Sequence, residues 1–201
     1  MNSKESLENL ISSLTDRVWL VDFYMQEAEK REKKNIPFII ADLDDTLASR
    51  DRLWKEEELL RINRGQEWNK VVINHFGINT IIERFYENQT PPKDISELLS
   101  PDNCVILTAG VPEYQYRKRE ALWLTHLSIN IVESWADKIL ETIRYVLFEL
   151  WYIPREIIVY EDRPHFFIEY RELIEWVLWT KLTIMKVEMN GNADYTSIEE
   201  V

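Results

Sequence analysis

Residues 37–47, Pro37-Phe38-Ile39-Ile40-Ala41-Asp42-Leu43-Asp44-Asp45-Thr46-Leu47, set a short apolar run directly ahead of three carboxylates within four positions. No other stretch restricts the possible folds as strongly. An apolar run of about five residues has the expected length of a strand covered on both faces, as in a parallel sheet. Asp42 and Asp44, two positions apart at the end of such a strand, project to the same side. Carboxylates held that close raise one another's pKa unless positive charge intervenes. A hard cation such as Mg²⁺ takes one or two carboxylates while keeping waters and phosphate oxygens as its other ligands. The run therefore asks for a metal or a shared proton; an acidic loop after an ordinary strand is the plainer alternative.

Further apolar runs follow the same plan. Cys104-Val105-Ile106-Leu107 leads into Thr108-Ala109-Gly110, and Ile157-Ile158-Val159-Tyr160 leads into Glu161-Asp162-Arg163-Pro164. Weak alternation over 128–133 and an apolar run over 182–188 complete the predicted strands. Between them the spacing predicts helices over about 112–124, 137–151 and 165–179, the second with Ile139, Ile143, Val146, Leu147 and Leu150 on one face and Pro154 just beyond it. Strands alternating with helices predict an α/β fold with a doubly wound parallel sheet, whose ligands bind beyond the carboxyl ends of the strands. Thr46, Thr108 and Asp162 would then share one edge.

The flanking segments read differently. From Ser6 to about Lys34 the residues Leu7, Leu10, Ile11, Leu14, Val18, Val21 and Met25 recur at helical spacing, Lys30, Arg31, Lys33 and Lys34 suit a helix C-terminus, and Pro37 stops it. This helix packs on the sheet or the insertion, with a partner-binding surface as the alternative. Residues 48 to about 100 are helical in pattern, over Trp54–Arg61 and 68–85, with Gly65 and Gly77 as interruptions and Asp94 placed to cap a short helix over 95–99. A segment of about fifty residues exceeds an ordinary connection, which points to a lid or binding insert. A packed helical elaboration remains the other reading. The expected organisation is an N-terminal helical segment over 1–35, a core over 36–49 and 100–190, a helical insertion over 50–99, and a loose polar tail over 191–201.

At 201 residues, with 45% hydrophobic residues and eight Trp, the chain suits one compact α/β domain with a modest insertion. A net charge of −12 argues against long-range attraction to nucleic acid or an anionic membrane, and leaves Arg117-Lys118-Arg119 as a solvated helix face sooner than a basic patch. The one cysteine, Cys104, excludes an internal disulfide and a Cys-rich metal site. The N-terminus lacks the apolar core of a signal peptide and no run approaches the ~18 residues of a membrane span, so a cytoplasmic protein is expected.

Four elements now stand in order: Asp42-x-Asp44-x-Thr46 after a strand, Val105-Ile106-Leu107-Thr108, Lys138 one helix upstream of the last, and Ile157-Ile158-Val159-Tyr160-Glu161-Asp162. Over about 36–190 they resemble motifs I to IV of the haloacid dehalogenase (HAD) superfamily, phosphatase branch, with the insertion lying between motifs I and II. The resemblance implies a HAD-like Rossmannoid core with a small helical cap, and a Mg²⁺-dependent phosphatase acting through an aspartyl phosphate. It implies Asp42 as nucleophile and Asp44 as general acid on the leaving oxygen and then base for water. Mg²⁺ would take Asp42, the backbone carbonyl of Asp44, and Asp162. Phosphate would take Thr108, the Ala109 and Gly110 amides, and Lys138, with Lys118 as the rival lysine.

Motif IV departs from the common pattern. Glu161 stands where Gly or Asp is frequent, and Pro164, His165, Phe166 and Phe167 occupy the ground where a further acid usually follows, so Glu161 is the alternative second acid. Arg163 and His165 are expected to tie down the loop, with contact to substrate as the alternative. Asp44 argues against the dehalogenase and ATPase branches, whereas a mutase stays open. The expected partner is a small phosphorylated substrate; a phosphatase of nucleic-acid ends or of a protein, and a non-catalytic HAD-like binding protein, are the alternatives.

Overall fold

The structure, a computed structural model, describes residues 18–60, 68–189 and 195–201. A six-stranded sheet runs in the order β3-β2-β1-β4-β5-β6, formed by β1 (Glu32–Ala41), β2 (Cys104–Ala109), β3 (Ser128–Val132), β4 (Tyr152–Glu161), β5 (Lys181–Met189) and β6 (Tyr195–Glu200). The first five are parallel and β6 pairs antiparallel with β5. Helices flank this mostly parallel sheet, giving an α/β fold with a Rossmann-like core.

The pleat explains why the strands read as continuous apolar runs. Phe38, Ile40, Val105, Leu107, Ile157, Val159, Leu182 and Ile184 enter one hydrophobic cluster. Their alternates Ile39, Ala41, Cys104, Ile106, Tyr160 and Val187 enter the other. The first face is covered by α1 (Val18–Glu29), by α7 (Asp137–Tyr145) with its continuing π-helical turn Val146–Leu150, and by α8 (His165–Glu169) and α9 (Arg171–Leu178). On the second lie α6 (Pro112–Ala121) and the helices of the insertion: α2 (Asp51–Leu60), α3 (Trp68–Phe76), α4 (Ile78–Ile81) with the π turn Ile82–Tyr86, and α5 (Lys93–Ser96). Ile81, Ile82, Phe85, Tyr86 and Ile95 of the insertion are buried in that second cluster, so much of its apolar surface lies against the sheet. Burying one such side chain contributes roughly 1.5–3 kcal/mol.

Three expectations from the sequence are corrected. The first helix ends at Glu29, with Lys30 and Arg31 at its C-terminal turn as expected, their amides donating to the Glu27 and Ala28 carbonyls at 3.1 Å; Lys33 and Lys34 instead belong to the start of β1, where Glu32, Lys33 and Lys34 pair with Tyr152, Ile153 and Pro154. Lys33 Nζ sits 4.8 Å from the Trp179 ring and Lys34 Nζ 4.5 Å from the Tyr152 ring, so aromatic faces hold cations that the sequence pattern had given to a helix dipole. Pro37 is not a helix stop but lies inside β1 at a register shift, before β2 joins at Ile39, where a missing N–H is tolerated. The polar end of the chain is not loose: Val187 faces Ile198 across the β5–β6 ladder, which the backbone supplies. The apolar residues of 1–17 on which the longer helix rested lie outside the described residues.

Only four glycines occur in the chain, and its helix ends show it. Trp123, Trp151 and Trp179 follow α6, the π turn after α7, and α9 with φ of 60°, 59° and 49°, a left-handed cap that Gly or Asn usually supplies. Among the described residues no helix is long and apolar enough to cross a membrane.

Candidate functional site

Directly after β1, the Asp42 amide still donates to the Tyr160 carbonyl at 3.0 Å, and the chain then folds into a tight turn. The amides of Leu47 and Ala48 donate to the Leu43 carbonyl at 3.0 and 2.9 Å, with Asp45 in the left-handed region at φ 57°. Leu43 and Leu47 are fully buried and anchor it. The turn sends Asp42 and Asp44 into different surroundings, although they share an edge.

Asp42 faces Lys138. Lys138 Nζ lies 2.8 Å from Asp42 Oδ1 and 2.7 Å from Glu161 Oε2. The ammonium sits off the hydrogen-bonding direction of Asp42 Oδ1, so that buried oxygen has a charge contact and no directed hydrogen bond. Lys138, in the first turn of α7, is 2 % exposed. Burial opposes its charge, but the Asp42 and Glu161 carboxylates outweigh that and hold its pKa well above the usual lysine range. Asp42, Glu161 and Asp162 each offer one oxygen, all within 4.8 Å of one another. Burial pushes the Glu161 carboxyl well up, with Asp42 and Asp162 adding to the rise against Lys138. Burial and then Asp42 push Asp162 up to about 6, against the pull of Arg50. Three carboxylates gather at one ammonium, with the Arg50 and Arg163 guanidiniums 3.8 and 3.4 Å from Asp162 as the other positive charges, and the oxygen-only donor set suits a divalent cation such as Mg²⁺.

Asp44 faces Lys118 instead. Lys118 Nζ donates to both carboxylate oxygens at 2.6 and 2.9 Å, and Gln115 Nε2 donates to Oδ2 at 3.2 Å. Burial alone would push Asp44 up, but Lys118 and Arg50 charges and these hydrogen bonds overcome it and hold the carboxyl at about 2. Burial in turn pulls the Lys118 ammonium down despite Asp44. Lys118 is fully buried, 3.8 Å from the Tyr114 ring centroid and 5.2 Å from that of Tyr86. Lys118, weighed against Lys138 for a single role, thus has its own carboxylate.

Arg50 braces the turn. Its Nε and one terminal nitrogen reach Asp45 Oδ2 at 2.9 and 2.5 Å, its amide donates to Asp45 Oδ1 at 2.9 Å, and the guanidinium stands 3.8 Å from Asp162. Neither Arg50 nor Gln115 was singled out from the sequence. One signal was available: Tyr114, Gln115 and Lys118 lie at i, i+1 and i+4 of a helix with no apolar stripe, a spacing that presents polar groups to whatever the helix covers.

The phosphate side differs in part from expectation. Thr108 is buried at the end of β2. The Gly110 amide, expected to donate to phosphate, donates to the Val132 carbonyl at 3.0 Å and is therefore engaged. Gly110 is required by its φ of 145°, and a Cβ there would meet Gln115 Nε2 at 2.7 Å and Asn69 Nδ2 at 3.1 Å. The Ala109 carbonyl accepts from Gln115 Nε2 at 3.0 Å. Asn69 brings the insertion to the site, and Gln89 ties it to the turn by donating to the Ser49 carbonyl and accepting from the Ser49 amide, both at 2.8 Å. Arg163 lies over the Trp135 ring at 4.5 Å and pairs with Asp162 at 3.4 Å, while His165 packs on Phe166 with ring centroids 4.1 Å apart. Cys104 is buried, and burial pushes its thiol up to about 12, which leaves it a core residue.

Beside Asp162 opens a cleft of about 340 Å³, walled by Asp45, Ser49, Asp51, Trp54, Val187, Glu188 and Met189. Compared with known proteins, the chain matches no family model and no curated protein.

Proposed function

We propose that this chain is a Mg²⁺-dependent phosphatase of the HAD type, hydrolysing a phosphomonoester through an aspartyl phosphate on Asp42. The observation that carries the reading is Asp42 itself: a carboxylate at the end of the central strand, 2.8 Å from a buried lysine and clustered with Glu161 and Asp162. A strand order that runs outward from β1 in both directions supports a doubly wound HAD-like core. The insertion, placed between the first two motifs and reaching the site through Asn69 and Gln89, supports a cap.

Asp42, Glu161 and Asp162 would hold the metal, which would screen the phosphate from the attacking carboxylate and stabilise charge on the transferred oxygens. Asp42 forms the bond to phosphorus as the ester oxygen departs, and water then cleaves the aspartyl phosphate, regenerating the carboxylate. Lys138, 2.8 Å from Asp42, adds positive charge beside the transferred group. The Thr108 hydroxyl donates to a phosphoryl oxygen. Asp44, held ionised by Lys118, is suited to accept a proton from the attacking water. The same carboxyl, once protonated, is the group placed to donate to the leaving oxygen in the first step.

Hydrolysis of p-nitrophenyl phosphate by wild type and Asp42→Asn, each with Mg²⁺ and with chelator, tests the reading. Turnover requires both Asp42 and metal, and the variant loses at least about 10³-fold. Equal activity in Asp42→Asn would remove the nucleophile, and a folded but inactive wild type would remove the phosphatase.

A further inference from the structure

We propose that Tyr86, brought in by the insertion, is a positioning residue for the acid and base Asp44, acting through Lys118. This rests on the phosphatase reading and gives the insertion a part in the chemistry beyond covering the sheet. Lys118 Nζ donates to Asp44 Oδ1 and Oδ2 at 2.6 and 2.9 Å. An ammonium is a point charge on a flexible four-carbon stem, so those two contacts do not by themselves fix where it stands. Two aromatic rings do: that of Tyr114 at 3.8 Å and that of Tyr86 at 5.2 Å, in a pocket where all three side chains are fully buried. With no water to compete, the attraction between an ammonium and a ring face is at its strongest.

The rings are themselves held. Tyr86 and Tyr114 meet edge to face at 82° with centroids 6.2 Å apart, and their hydroxyls are bonded at 3.2 Å. Tyr114 lies on α6 with Lys118, whereas Tyr86 comes from a different segment and closes the π turn Ile82–Tyr86 of the insertion. Turns of this kind, one residue wider than an α turn, recur at functional sites. Gln89 pins this one: its amide donates to the Tyr86 carbonyl at 2.9 Å, and its side chain donates to the Phe85 carbonyl at 2.6 Å while bonding Ser49. The insertion therefore grips the chain around the acidic turn at two points, at Ser49 through Gln89 and at Asp44 through Tyr86 and Lys118.

The consequence falls on one step. As Asp42 forms its bond to phosphorus, the bond from phosphorus to the ester oxygen breaks and its electron pair goes to that oxygen, which takes a proton from the Asp44 carboxyl. Donor and acceptor must come within about 2.6–3.2 Å for that transfer, so it tolerates little misplacement. A carboxyl bonded to an ammonium that has lost one wall of its cage drifts from the leaving oxygen, while Asp42 keeps its cluster with Glu161 and Asp162. An ester that needs the proton is slowed. An ester whose oxygen departs as a stable anion is not.

The test compares kcat/KM, which reports this first transfer, for phenyl phosphate and p-nitrophenyl phosphate with Mg²⁺. The two esters are alike in shape, and only nitrophenolate leaves readily without a proton. Tyr86→Leu is expected to lose about tenfold more on phenyl phosphate than on p-nitrophenyl phosphate, with Tyr86→Phe, which keeps the ring, within about threefold of wild type on both. Phe85→Leu, in the same π turn but packed with Phe76 and Arg84, is the control and should leave the ratio of the two esters unchanged. Where Tyr86→Leu does not fold, a ring-fluorinated phenylalanine at position 86 takes its place: it keeps the shape, strips the ring face of negative charge and should reproduce the selective loss. Equal losses on both esters in Tyr86→Leu, or the same selective loss in Phe85→Leu, reduce Tyr86 to packing and overturn the proposal while the phosphatase stands. A loss in Tyr86→Phe as selective as that in Tyr86→Leu overturns the ring as the holding group. No turnover of either ester by the wild type overturns the phosphatase and the positioning role together.

Discussion

Two buried lysines stand at the carboxyl edge of the sheet, and they do opposite things. Lys118 meets one carboxylate, Asp44, with Gln115 adding a donor and Arg50 adding charge, so that pocket is balanced and Asp44 stays ionised. Lys138 meets two carboxylates, Asp42 and Glu161, while Asp162 beside them leans on Arg50 and Arg163 at 3.8 and 3.4 Å, so the one ammonium between Asp42 and Glu161 leaves that pair short of positive charge. The first arrangement is closed, because every charge already has its partner. The second is open: its strain is relieved by a proton or by a cation from outside. A lysine's burial therefore does not define its role; the count of carboxylates around it does.

The comparison breaks most readily at the closed pocket. Lys118→Met leaves Asp44 buried without its principal partner, and removing one member of a buried pair costs about 3–5 kcal/mol. For a chain of this size that lowers Tm by roughly 6–20 °C, and Mg²⁺ should restore none of it. Lys138→Met should also destabilise, yet part of its loss should return with Mg²⁺, because the cation can replace the ammonium among three carboxylates. Thermal melts of both variants with Mg²⁺ and with chelator check this. Equal metal rescue of the two would mean that the pockets are not distinct.

The two carboxylates also titrate with opposite sign. Asp162, raised from 3.8 to about 6 by burial and Asp42, binds its proton more tightly folded than unfolded. Stability therefore falls as pH rises through that window, by about 2 kcal/mol between pH 4 and 7 in chelator. Asp44, lowered from 3.8 to about 2, contributes stability that is present above pH 4 and lost as pH falls toward 2. Urea unfolding across pH should show the first slope shrink in Asp162→Asn, with Glu161, raised in the same direction, keeping the remainder. A slope unchanged in that variant would assign it elsewhere.

Metal should act on one pocket only. At a Mg²⁺ concentration a hundredfold above its Kd the wild type gains about 2.7 kcal/mol, roughly 5–11 °C in Tm. Asp162→Asn should lose that gain, while Trp123→Gly, remote at an exposed helix end, should keep it. A gain retained in Asp162→Asn would move the metal away from this cluster.

Much of this edge could be read from the chain. Strands covered on both faces leave continuous apolar runs, and a polar residue directly after such a run, as at Asp42, Thr108 and Glu161, can only stand at the strand's end. What escaped reading depends on contacts made across the fold. Lys33 and Lys34 fit a helix C-terminus by charge as well as Lys30 and Arg31 do, and the aromatic rings of Trp179 and Tyr152, brought in from other segments, favour the strand for them. The pairing of β6 is a backbone matter, with little side-chain signal in Tyr195-Thr196-Ser197-Ile198-Glu199-Glu200. Helical spacing marked the insertion, but nothing in it told which sheet face Phe85 and Tyr86 would cover. Lys118 lay within a basic triplet that resembled a solvated face, and its burial follows from Asp44, 74 positions away.

The finest test of the closed pocket is Gln115→Leu. Gln115 donates to Asp44 at 3.2 Å and to the Ala109 carbonyl at 3.0 Å, and the described residues offer its Oε1 no partner. Leucine removes both donations but also the unsatisfied oxygen, so the net cost should be only about 1 kcal/mol. The consequence for Asp44 is more specific. Its carboxylate loses a hydrogen bond to the charged form and keeps Lys118 and Arg50, so its pKa should rise modestly, and the acid limb of stability should move to higher pH. Unfolding of Gln115→Leu between pH 2 and 5 measures that displacement. If the limb stays where it is, Lys118 and Arg50 alone hold Asp44, and the closed pocket needs only its charges.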